Sequence, residues 1–126
     1  MGYDILIVDD SAIVRAVIER ALRLSGVALN EVHHAPNGQV ALETLSQQSV
    51  DLVFADLNMP VMDGVTMVTE MESRGILENT PVVVVSTDRS EVRMRELKSH
   101  GVMEYLNKPF TPESIRDTVE RCLKPQ

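Results

Sequence analysis

Cysteine is almost absent from the chain. One residue, Cys122, among 126 excludes an intramolecular disulfide and a cysteine-built metal cluster, and fits a reducing compartment. There is no Trp, and with only two Tyr and two Phe the core has to be assembled from Val, Ile, Leu, Ala and the seven Met. No run approaches the ~20 apolar residues of a membrane span, and Met1 to Ile7 lacks the basic start and long apolar stretch of a secretion signal. Basic residues are in deficit, 12 Lys and Arg against 19 Asp and Glu, and the net charge of −7 opposes sequence-independent attraction to nucleic acid or anionic lipid. The expectations are a cytoplasmic location and no nucleic-acid or membrane partner.

What is present reads as one domain spanning residues 1–126, without linker, repeat or low-complexity stretch, and with no room for an effector domain. Short apolar runs at Ile5 to Val8, Leu52 to Ala55 and Val82 to Val85 have no polar interruption, the mark of strands buried on both faces. Weaker runs around Val32 to Ala35 and Met103 to Leu106 complete five strands. Between them lie helical periods. Ile13, Val14, Val17, Ile18, Ala21 and Leu22 predict an inward stripe, with Arg15, Glu19, Arg20 and Arg23 outward and Gly26 as the stop. Further helices are predicted over Gly38 to Ser46 and Gly64 to Ser73. A fourth is capped by Ser90, carries Val92, Met94 and Leu97, and ends at Gly101; a fifth is opened by Thr111, Pro112 and Glu113. Five strands alternating with five helices predict an α/β doubly wound parallel sheet.

In such a sheet a ligand sits at the carboxyl ends of the strands. Those positions hold Asp9 and Asp10 after the first run, Asp56 after the third, Ser86 after the fourth and Lys108 after the fifth. Taken singly, each has an ordinary structural use: Asp10 as a helix cap, Asp56 in a turn, Ser86 as a cap, Lys108 as a surface charge. Their conjunction at four strand ends points to a site. Three carboxylates at one edge repel each other and call for a cation, and an oxygen-only donor set favours Mg²⁺. An anion needing Mg²⁺, Lys108 and a hydroxyl donor is best read as a phosphoryl group. His33 and His34, adjacent in a strand, fall on opposite faces and make a poor chelating pair, so they receive no role. His100 is placed at a helix C-terminus, and the Met residues are read as packing.

With these residues placed, residues 4 to 123 resemble the receiver domain of two-component response regulators, the single-domain chemotaxis type in particular. The resemblance rests on the pair Asp9 and Asp10, on Asp56, Leu57, Asn58, Met59, Pro60 followed by Met62, Asp63, Gly64, and on Lys108, Pro109, Phe110. The hydroxyl position falls on Ser86 and a switch aromatic on Tyr105. It implies a flavodoxin-like fold with strand order 2-1-3-4-5 and a cis peptide before Pro109. It also implies phosphorylation of Asp56 by a sensor histidine kinase, with Mg²⁺ held by Asp10, Asp56 and the Asn58 carbonyl and by Asp9 through water. Lys108 and Ser86 would contact phosphoryl oxygens. Output would pass to a downstream protein across the face formed by helix 4, strand 5 and helix 5, from a monomer or weak dimer. The protein would assist only its own phosphorylation and dephosphorylation and would not be an enzyme in the usual sense. A competing reading is a phosphatase or phosphotransferase with an aspartyl nucleophile; such enzymes usually carry a second Asp two residues on, where this chain has Asn58. A phosphorylation-independent adaptor is the third.

Overall fold

The computed structural model describes residues 2–123. The element order is β1 (Tyr3–Val8), α1 (Ala12–Leu24), β2 (Leu29–Ala35), α2 (Gly38–Gln47), β3 (Leu52–Ala55), α3 (Gly64–Ser73), β4 (Val82–Ser86), α4 (Glu91–Ser99), β5 (Glu104–Asn107) and α5 (Pro112–Leu123). All four strand pairings are parallel and the order is β2-β1-β3-β4-β5. This is the flavodoxin-like arrangement that the resemblance implied.

The continuous apolar runs are explained by cover on both faces. Successive side chains in a strand point to opposite sides. Thus Leu6, Val8, Val53, Val82 and Val84 pack with Met67, Val68, Met71 and Leu97 in one core layer. Ile5, Ile7, Leu52, Phe54, Val83 and Val85 pack with Ile18, Leu22, Ile115 and Val119 in the other. Each such side chain, taken fully out of water, contributes roughly 1.5–3 kcal/mol.

The helix starts are set by side chains. Ser11, Asn37, Asp63 and Ser90 each accept the N–H of the residue three positions on, filling one orphan donor of α1, α2, α3 and α4. At α5, Thr111 and Ser114 exchange reciprocal bonds of 2.9 and 3.0 Å, a capping box in which Ser stands where Glu is usual. The cap of α1 is therefore Ser11 and not Asp10, which leaves that carboxylate uncommitted.

Three predicted apolar positions do not face the core. Ile13 is 77% exposed, Val17 53% and Val92 66%. The buried residues of α1 are Ile18, Ala21 and Leu22, with Val14 packed beside them, so the helix presents a stripe narrower than the doubled pattern suggested. The fifth strand starts one residue later than predicted, leaving Met103 outside it and largely exposed. No helix among the described residues is long and apolar enough to cross a membrane.

Candidate functional site

The sheet ladder continues past its formal ends and carries the polar residues with it. The Asp9 N–H donates to the Ala35 carbonyl at 3.0 Å, Asp56 N–H to Val8 at 2.9 Å and Lys108 N–H to Ser86 at 2.9 Å. Backbone pairing thus pins Asp9, Asp56 and Lys108 to the carboxyl edge of the sheet. One carboxylate oxygen from each of Asp9, Asp10 and Asp56 falls within a 4.8 Å cluster. Asp9 is buried, Asp56 half-buried and Asp10 exposed.

Asp9 is held by two neighbours. Its Oδ1 accepts the Ser11 N–H at 2.9 Å, and Lys108 Nζ lies 3.9 Å from its Oδ2. Burial pushes the Asp9 carboxyl above its usual range; the Ser11 N–H pulls it down, the Asp56 charge pushes it up, and Lys108 again lowers it. An ammonium at 3.9 Å is a loose partner for three acidic groups. The cluster therefore favours a further positive charge, and an all-oxygen donor set of this size suits a hard divalent cation such as Mg²⁺.

The loop after β3 is anchored on both sides of Asn58, which is exposed while Leu57 and Met59 are buried. Its return into α3 depends on Gly64, where a Cβ would stand 2.3 Å from the Asp56 carbonyl oxygen. Only glycine lets α3 start so close to the backbone of Asp56. Before it, Met62 N–H donates to the Pro60 carbonyl at 2.7 Å across Val61, whose φ is 69°. This is a γ-turn centred on a β-branched residue in a conformation such residues avoid.

Ser86 is buried at the end of β4 and accepts the Asp88 N–H on its Oγ at 3.0 Å. Tyr105, half-buried on β5, donates its hydroxyl to the Asp88 carbonyl at 2.8 Å. The two side chains grip the same residue from its two backbone ends. Arg89 donates to the Lys108 carbonyl at 3.2 Å, tying the same loop to the end of β5, and the Lys108–Pro109 peptide is cis. A surface cleft of about 530 Å³, lined by Tyr3, Val27, Arg116, Glu120 and Leu123, lies at the other end of the sheet, away from the carboxylates.

The sequence matches the response regulator receiver domain family over residues 5–120. The chain belongs to that family. The receiver is 30% identical to the chemotaxis protein CheY-3 of Vibrio cholerae over 95% of its own length and 91% of that protein. It is 34% identical to the sensor histidine kinase CheAY of Helicobacter pylori, but spans only 15% of that longer protein. Among solved structures, V. cholerae chemotaxis protein CheY4 superposes with a TM-score of 0.86 at 32% identity, covering 98% of this chain and 100% of that one. Receiver domains are signalling modules that bind Mg²⁺ at an acidic pocket and interact with histidine kinases and downstream targets. Asp9, Asp10 and Asp56 of this receiver form a cluster that could hold a metal ion.

Sequence reasoning missed one part of the surroundings. Arg15 is expected on the solvent side of α1 and His34 without a role, yet the two are hydrogen-bonded at 3.3 Å beside the acidic pair. A polar residue on a helix's outer margin and a histidine on an edge strand carry no periodic signal that would have paired them.

Proposed function

We propose that this receiver is a phosphoacceptor switch in which Asp56 takes a phosphoryl group and the change in shape alters affinity for a partner protein. The observation that carries the proposal is the meeting of Asp9, Asp10 and Asp56 within 4.8 Å beside Lys108 and near the buried Ser86, a donor set suited to a phosphoryl group and its counter-ion. Asp10, Asp56 and the Asn58 carbonyl are the proposed direct ligands for Mg²⁺, with Asp9 acting through water. Bound Mg²⁺ would neutralise the carboxylates and the phosphoryl oxygens. A carboxylate oxygen of Asp56 bonds to phosphorus as the P–N bond of a kinase phosphohistidine breaks. The freed imidazole takes a proton from solvent. Lys108 and the Ser86 hydroxyl receive phosphoryl oxygens. We read residues 1–126 as one receiver domain working in the cytoplasm, in chemotaxis or a related two-component pathway.

Output follows from the shared hold on Asp88. When the Ser86 hydroxyl turns to a phosphoryl oxygen, the Asp88 N–H loses its acceptor and the loop is freed to move. Tyr105 is anchored to the carbonyl of the same residue, so it feels that movement. The face formed by α4, β5 and α5, with Arg95, Lys98 and Glu104 around Tyr105, is the proposed docking surface for the downstream protein. A coupling of ~1–3 kcal/mol would change partner affinity roughly 5–150-fold.

Beryllofluoride, a phosphoryl mimic, tests the proposal without a known partner. With Mg²⁺ it should shift the backbone amide resonances of Asp88, Glu104 and Tyr105, whereas in Ser86→Ala the shifts should stay near Asp56. Unmoved resonances at Tyr105 in the saturated parent would contradict the switch and favour the adaptor reading.

A further inference from the structure

Among the described residues the Asp10 carboxylate has only the neighbouring Asp9 carboxyl as a side-chain partner, so its aim toward Asp56 depends on the backbone that launches it. That backbone is held from one side by Arg15. Its Nη1 donates to the Asp9 carbonyl oxygen at 2.5 Å, fixing the plane of the peptide that joins Asp9 to Asp10. Arg15 is held in turn, since its Nε donates to His34 Nδ1 at 3.3 Å. A guanidinium nitrogen can only donate, so Nδ1 is the acceptor and the ring proton resides on Nε2. That Nε2–H donates to Glu19 Oε1 at 2.6 Å. Glu19 is fastened on its other oxygen by Arg23, whose Nε donates to Oε2 at 2.9 Å. From α1 to β2 and back to α1, the contacts form a chain that ends on the peptide between the two acidic residues.

We infer that Arg15, braced by His34 and Glu19, is a positioning residue for the acidic pair and sets the receiver's affinity for Mg²⁺. The inference rests on the Mg²⁺ reading of Asp9, Asp10 and Asp56 above. Exposed charge pairs contribute little, but the terminal bond here is partly buried, and groups that orient metal ligands act through geometry. Arg15 reaches the ligands through one peptide, so its loss should weaken Mg²⁺ binding by roughly three- to tenfold, below the ten- to hundredfold typical of a direct hydrogen-bond partner of a ligand.

Removing the guanidinium charge would by itself favour cation binding, so the test uses variants that conserve charge. Arg15→Lys keeps the cation, but a single ammonium lacks the fork needed to reach both the Asp9 carbonyl and His34. His34→Leu removes the Nδ1 acceptor; His34→Asn restores an oxygen near the position of Nδ1. Mg²⁺ affinity is measured by calorimetry at a temperature where every variant is folded, with Asp10→Ala as the control for the site itself. The expected result is three- to tenfold weaker binding in Arg15→Lys and in His34→Leu. The double variant should be no weaker than Arg15→Lys, and His34→Asn should stay near the parent, because both side chains act through one contact. A purely structural role would lower melting temperatures and leave the affinity alone. Binding within twofold of the parent in Arg15→Lys or in His34→Leu, or additive losses in the double variant, would overturn the inference while leaving the Mg²⁺ site standing. A parent that binds no Mg²⁺, or binds it as well as Asp10→Ala does, would overturn both.

Discussion

Replacing Val61 by glycine should stabilise the protein, although valine is the better residue almost everywhere else. Val61 sits at φ 69° in the γ-turn closed by Met62 and Pro60. Holding a β-branched side chain there costs about 1–3 kcal/mol, which glycine would not incur. Two terms oppose the gain. The glycine variant has a freer unfolded chain, worth about 0.4–1 kcal/mol. The valine is 75% exposed, so only a quarter of its side chain is withdrawn from water, worth about 0.5 kcal/mol. The balance is a gain of about 1 kcal/mol, or a rise of about 3–5 °C in Tm for a chain of this size. Urea denaturation of the metal-free protein, followed by circular dichroism, measures it. A loss of 1 kcal/mol or more in Val61→Gly would refute the strain argument, because it would mean that the small buried part of Val61 outweighs its backbone conformation.

Gly64→Ala should act in the opposite direction, since its Cβ would stand 2.3 Å from the Asp56 carbonyl oxygen and the start of α3 must shift; a cost of about 3 kcal/mol is expected by denaturation, together with displaced Asp56 and Leu57 amide resonances. Glu19 supplies an acid-sensitive contribution. Its hydrogen bond from His34, aided by Arg23, holds the carboxyl below its ordinary 4.5, so its stabilisation is complete above that pH and fades as pH falls through the lowered folded-state value. Glu19→Gln should therefore be less stable than the parent at neutral pH, and the gap should close on acidification below about 4.5. A gap independent of pH would contradict the assignment.

The central strands were legible because each runs as uninterrupted apolar residues, as expected of a sheet covered on both faces. Ser90 and Thr111 marked helix starts because a short side-chain oxygen just before a helical period can take an orphan N–H there. The helix faces were less legible: Ile13, Val17 and Val92 are apolar by type and exposed by position, and periodicity alone does not tell a buried row from its flank. Strand order came from resemblance, since alternation fixes parallelism without fixing which strands are neighbours. Within the candidate site, the residues at the strand ends could be read from topology alone. The grip of Ser86 and Tyr105 on Asp88 could not, because it runs through backbone groups that side-chain identity does not reveal. Val61 was invisible for a similar reason: nothing about a valine announces a positive φ.

The central claim, that Asp56 accepts the phosphoryl group, is tested most directly by incubating the protein with a small acyl phosphate and Mg²⁺ and reading the intact mass. The account predicts one phosphoryl increment in the parent, its suppression by EDTA, and its absence in Asp56→Asn. Full labelling of Asp56→Asn, or none in the parent with Mg²⁺ present, would contradict it.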